Sequence, residues 1–122
     1  MTYTVLFERE GFVSVSVSSP CTREDHYAAL RQAVSLCQEH DCKRLLVDLH
    51  GLNTETFSII GCFSFGETLA KSLDYLKIAH VLPVDSKARE NVQFTSTVAA
   101  NRGKLTADFE AIEEANCWLL SE

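Results

Sequence analysis

The most constraining feature of this chain is the stretch Lys43-Arg44-Leu45-Leu46-Val47-Asp48-Leu49-His50-Gly51. Two cations lead into an apolar run, and an acid, a histidine and a glycine close it. A continuous apolar run this short reads as a strand covered on both faces. Helical patterns flank it, which places it near the centre of a sheet. In open α/β sheets, ligands and partners meet the chain just past the carboxyl ends of such strands. Asp48, His50 and the loop of residues 52–56 are therefore the first place to look for function.

Upstream, residues 4–9 alternate loosely, and Phe12-Val13-Ser14-Val15-Ser16-Val17-Ser18 alternates strictly, with valines on one side and serines on the other. That is the pattern of a half-buried strand with a solvated serine face. Glu10-Gly11 between the runs signals a tight turn, so the two make an N-terminal hairpin. Ser19-Pro20-Cys21 stops the second strand. Thr22 stands three residues before Asp25, a start resembling a capping box. Tyr27, Leu30, Val34 and Cys37 follow at three- and four-residue steps and predict a helix over 23–39 with one core face.

Beyond Gly51, Asn53 and Thr54 open a polar loop, and a helix is predicted over 57–73. Phe57, Ile59, Ile60, Cys62, Phe63 and Phe65 nearly surround its first two turns, and Gly61 and Gly66 suggest close packing against a neighbour. Residues 76–82 form the next strand, ended by Pro83. Asp85 or Ser86 caps a helix to about residue 102, with Ala88, Val92, Thr95 and Ala99 inward, helped by Phe94 and Val98. Gly103 is a natural stop. Residues 105–109 make the last strand and 111–120 the last helix, with Ile112, Ala115, Trp118 and Leu119 inward. The order is ββαβαβαβα. It predicts an α/β fold: an N-terminal β-hairpin, then βα units, in a mixed, mostly parallel five-stranded sheet with about four helices. Helical connections demand parallel pairing and right-handed crossovers. Pattern alone leaves the strand order open.

A length of 122 residues makes residues 1–122 a single domain with room for a real core. The net charge of -6 argues against nucleic acid or an anionic membrane as the main partner. No apolar stretch approaches the roughly 20 residues of a membrane span. The first residues lack a basic region ahead of an apolar one, so no signal peptide is expected and the cytoplasm is the expected compartment. The five cysteines, Cys21, Cys37, Cys42, Cys62 and Cys117, are odd in number and have no C-x-x-C spacing. They read as small apolar core residues in a reducing compartment. Cys37, His40 and Cys42 are the only close set of metal-type ligands, and with no second set neither a metal nor another cofactor is expected.

Several local motifs resemble the SpoIIAA-like family, the STAS/SEC14-type domains related to anti-sigma-factor antagonists. They are Leu45-Leu46-Val47-Asp48-Leu49-His50-Gly51-Leu52, Leu76-Lys77-Ile78-Ala79-His80-Val81, Val98-Ala99-Ala100-Asn101-Arg102-Gly103, and Phe109 through Leu119. The resemblance covers nearly the whole chain and rests on fold motifs, not catalytic ones. It implies a SpoIIAA-like (STAS-type) fold. In the antagonists the loop after the central strand carries an Asp-Ser-Ser-Gly-type sequence whose serine a partner kinase phosphorylates. Here Thr56-Phe57-Ser58-Ile59 stands in that place. The acid and the glycine are missing, Phe57 replaces one serine, and Ser58 alone keeps a hydroxyl in register. The resemblance thus implies a non-enzymatic regulatory or protein-interaction module without an intact phospho-serine motif. Its SEC14 side implies, as the alternative, a carrier of a lipid or other small apolar ligand.

Asp48 and His50 share a strand face, and such a pair can orient a base. No nucleophile is tied to them in sequence, so catalysis is not expected; Asp48 capping the following backbone is the plainer reading. Thr54, Thr56 and Ser58 cluster at a predicted helix start, where an anion is favoured and where plain N-capping serves equally well. Cys21 precedes a helix start that could lower a thiol pKa. Ordinary core burial is the plain reading of the helix carrying Phe57, Phe63 and Phe65, but it is apolar on more than one side and must bury the second against something. A homodimer contact is the expected use, with a regulatory partner or a small apolar ligand as the other two.

Overall fold

The fold is that of a computed structural model, which describes residues 3–18, 22–52, 76–101 and 105–121. Its elements are β1 (Tyr3–Glu8), β2 (Phe12–Val17), α1 (Arg23–Glu39), β3 (Arg44–Asp48), β4 (Lys77–Val81), α2 (Ser86–Asn101), β5 (Leu105–Phe109) and α3 (Ile112–Leu120). The helix expected over 57–73 lies outside the described residues.

The hairpin closes as its turn residues require. β1 and β2 pair antiparallel from Tyr3 opposite Val17 to Glu8 opposite Phe12. Gly11 donates its N–H to the Glu8 carbonyl at 3.0 Å and sits at φ +105°, where a side chain is strained. α1 opens on a complete capping box. Thr22 Oγ1 accepts the Asp25 N–H at 3.1 Å, and the Asp25 carboxylate accepts the Thr22 N–H at 2.9 Å. It ends in a Schellman arrangement, with the Cys42 N–H donating to the Cys37 carbonyl and the Asp41 N–H to that of Gln38. Asp41 occupies the left-handed position at φ +50° that glycine usually fills.

The strand order is β1-β2-β3-β4-β5. Only the first pair is antiparallel; β2–β3, β3–β4 and β4–β5 are parallel. The mixed, mostly parallel five-stranded sheet is therefore as expected, and its order simply follows the chain. One face carries Val13, Val15, Leu45 and Ile78 against Ala29 and Ala33 of α1 and Val92 of α2. The other carries Phe12, Leu46, Ala79 and Val81 against Ala115 and Leu119 of α3. β3 and β4 are thus covered on both sides, which is why Leu45-Leu46-Val47 and Ile78-Ala79 read as unbroken apolar runs. On the α3 side, among the described residues, α3 packs mainly on β3 and β4 and reaches Phe12 of β2, while Thr4, Leu6 and Ser16 remain exposed.

α3 has no basic residue in its last turn, and the strands supply the missing cations. Arg44 Nε donates to the Leu119 carbonyl at 2.9 Å, and Lys77 Nζ donates to the carbonyls of Trp118 and Ser121. These groups meet the partial negative charge of the helix end.

Two core placements are corrected and one residue is added. Ile112 is exposed, because it opens α3 ahead of the packed Ala115–Leu119 row. Cys117 is exposed, while Cys37 and Cys42 are buried as expected. Ser96 joins the buried face of α2, where only apolar residues and Thr95 were expected. Among the described residues no helix is long and apolar enough to cross a membrane.

Candidate functional site

β3 ends at Asp48, and the chain turns away over the carboxyl edge of the sheet. The Leu49 N–H donates to the Val81 carbonyl at 3.0 Å, and the Val84 N–H reaches the His50 carbonyl at 3.4 Å. Residues 49–52 are therefore held against the chain leaving β4. A Cβ on Gly51 would lie 3.1 Å from Ser18 Cβ, so the loop also passes close to the end of β2.

Asp48 and His50 meet here. Asp48 Oδ1 accepts the His50 backbone N–H at 3.2 Å and lies 2.7 Å from His50 Nδ1. The carboxylate is 12% exposed and the imidazole 65%. The expected backbone cap is present, and the same oxygen also orients the ring. With its proton on Nδ1, the neutral ring turns Nε2 outward as a lone pair. That atom can take a proton or accept a hydrogen bond from a partner. Among the described residues no hydroxyl or thiol hydrogen-bonds to His50, and no group of three or more His, Cys, Asp or Glu side chains could hold a metal. The other expected site residues, Thr54, Thr56, Ser58, Phe57, Phe63 and Phe65, lie outside the described residues, as does Cys21.

Sequence reasoning missed a second polar group. His80 of β4 is buried, and its Nδ1 lies 3.3 Å from Ser96 Oγ, 3.2 Å from Thr106 Oγ1 and 3.4 Å from Asp108 Oδ1. Ser96 Oγ also donates to Asp108 Oδ1 at 2.9 Å. Serine, histidine and acid are the components of a hydrolytic triad, but the wiring is wrong. In a triad the acid and the serine take opposite ring nitrogens. Here both crowd Nδ1, so the ring cannot relay a proton between them. The signal was available: a histidine inside an apolar strand must find buried partners. What pattern could not supply was the register that sets His80 beside Asp108.

His80 also edges a cavity of about 60 Å³ between α1 and the sheet, walled by Val15, Val17, Leu45, Ala33 and Val92, with His26 on its rim. An engineered cavity of about 150 Å³ holds a benzene; this one admits only a few heavy atoms. Burial pushes the His26 imidazole down to about 4, against a smaller upward pull from Asp25. Burial pushes the Cys37 thiol up to about 12, with Cys42 beside it adding to the shift, so Cys37 is not a reactive thiol.

The described elements define the class: an α/β domain with a sequentially ordered, mostly parallel sheet and an oriented Asp–His pair at its carboxyl edge. Compared with protein-family models, curated proteins and solved structures, the chain matches none.

Proposed function

We propose that this chain is a SpoIIAA-like, STAS-type domain acting as a non-enzymatic regulatory or protein-interaction module in the cytoplasm, with Asp48 and His50 on its partner-facing edge. The strand order carries this reading. Small ligands of open α/β sheets bind where the strand order reverses and splits the carboxyl edge into a crevice. The order β1-β2-β3-β4-β5 has no reversal. An unsplit edge suits a broad protein surface better than a substrate cleft. On it, the outward Nε2 of His50 supplies a polar contact, and Val84, 83% exposed beside it, supplies an apolar one. The departures at Thr56-Phe57-Ser58-Ile59 mean that docking is not gated by a phospho-serine in that loop.

The test is capture from the native host, with His50→Glu and Val84→Glu beside the wild type. A stoichiometric polypeptide held by the wild type and lost from both folded variants supports the module. A polypeptide held equally by all three removes this edge as the docking surface. Native mass spectrometry showing a bound small molecule and no polypeptide favours the carrier. The cavity beside α1 is the observation behind that second reading, and its size limits the ligand to something much smaller than a lipid chain.

A further inference from the structure

The sheet ends at β1, so the backbone of Tyr3–Glu8 is hydrogen-bonded to a described strand on one side only. Proteins blunt such edges with proline, lysine, a bulge or a cover. β1 reads Tyr-Thr-Val-Leu-Phe-Glu, with no proline, no lysine and no charge before Glu8. Its pairing to β2 runs unbroken through all six residues, so no bulge turns the edge aside. Leu6 is 42% exposed and Phe7 36% exposed. On the adjoining sheet face, among the described residues, Thr4 and Ser16 are exposed.

We propose that β1 is a self-association edge, on which two copies of this chain pair antiparallel about a two-fold axis through Leu6. Charge favours a second copy at this place. Both copies carry a net charge of -6 and repel each other overall, but the edge from Tyr3 to Phe7 is uncharged. The register follows from what each side chain would face. Residues opposite each other across an antiparallel pair share a face and touch. With Leu6 on the axis, Leu6 meets its own copy, Val5 meets Phe7, and Thr4 meets Glu8. Both exposed apolar side chains gain apolar neighbours, and no like charges oppose. A slide of one side-chain step toward the turn sets Leu6 against Glu8. A second step sets Glu8 against Glu8. A step the other way keeps a ladder of equal length but sets Leu6 against Thr4. The product is a continuous sheet of twice five strands. Five residues a side, Thr4 to Glu8, make a small interface, so the dimer is a concentration-dependent one, weaker than a standard protein interface. This contact is independent of the docking edge at His50, which stays free at the end of the strands.

Sedimentation equilibrium from about 1 to 100 µM, the range in which a weak interface titrates, tests it. The wild type should pass from monomer to dimer. Leu6→Lys should raise the dissociation constant at least about tenfold, since lysine is a natural edge blocker. Leu105→Lys, on the opposite edge strand, should leave it unchanged. Amide exchange over residues 3–8 should slow as the concentration rises. If Leu6→Lys does not fold, Thr4→Lys on the same exposed face takes its place. A wild type that stays monomeric overturns the proposal. So does a dimer that is indifferent to the lysine but dissolved by Phe65→Asp, which would place the contact in the expected 57–73 helix. An edge that binds an extended peptide without pairing to itself overturns it as well.

Discussion

Two histidine–carboxylate pairs sit on neighbouring strands of this sheet, and burial falls on opposite members of them. At the carboxyl edge, Asp48 is 12% exposed and the His50 ring 65%. One strand further, His80 is 5% exposed and Asp108 24%. In the first pair a sheltered carboxylate aims a ring into water, where its free nitrogen can meet something else. In the second, a buried ring gathers Ser96, Thr106 and Asp108 onto one nitrogen and ties β4, β5 and α2 together. The same two residue types give a solvent-facing ring in one place and a structural joint in the other. Residue identity does not separate them; the covering layer does. His80 faces α2 inside the sandwich, whereas His50 has already passed the end of the sheet.

The sharpest way to break that contrast is to remove each ring. His80→Ala takes one of two contacts from Ser96 and from Asp108, which keep their bond to each other, and empties a ring-sized buried volume. Losses of this kind cost about 1–3 kcal/mol for the polar groups and more for the void, so about 3–4 kcal/mol is expected in urea unfolding. Ser96→Ala should cost about 1–2 kcal/mol on the same scale. Urea midpoints for His80→Ala within error of the wild type would show that the buried cluster holds nothing together.

A third histidine extends the comparison to pH. His26 is buried, and burial lowers its folded pKa to about 4 from the ordinary 6.5. The unfolded chain therefore binds a proton at a pH where the folded chain does not. Stability from this group is fully present above pH 6.5 and is lost as the pH falls toward 4. A shift of this size corresponds to at most about 3 kcal/mol. Unfolding free energies measured across that window should fall with acid, and His26→Leu should flatten the slope. An equal slope in the variant would assign the acid sensitivity to other groups.

The fold was largely legible because its signals are local. The capping box at Thr22 and Asp25, the strict alternation of Phe12 to Ser18, and the closed apolar runs of β3 and β4 each depend on a few adjacent residues. The strand order was not legible, since parallel strands joined by long crossovers carry no sequence mark of their neighbours. The candidate site divides the same way. Asp48 and His50 are two residues apart and were visible. His80, Ser96, Thr106 and Asp108 spread over 29 positions and meet only through the β4–β5 register and the placement of α2. Ile112 and Cys117 failed for a related reason: helical spacing gives a stripe, but not where along the helix the packed neighbour begins.

Within each pair, the buried member should carry the stability, and the order should reverse between the two. Asp48 caps the His50 backbone N–H as well as its ring, from a position largely out of water. Asp48→Ala should therefore cost about 1 kcal/mol, the usual loss for a hydrogen-bonding cap. His50→Ala removes a mostly solvated ring whose hydrogen bond to Asp48 faces water, and should stay within about 0.5 kcal/mol. At the other pair His80→Ala should exceed Asp108→Ala, because Asp108 is the wetter partner. Four single variants and the two double variants decide it, with the coupling inside each pair read from the cycle. If His50→Ala costs more than Asp48→Ala, the exposed ring is doing structural work and its assignment to the docking edge loses its basis. If the order reverses between the pairs as expected, the outward ring of His50 is free of any part in holding the fold, and its substitution can be read as a test of recognition alone.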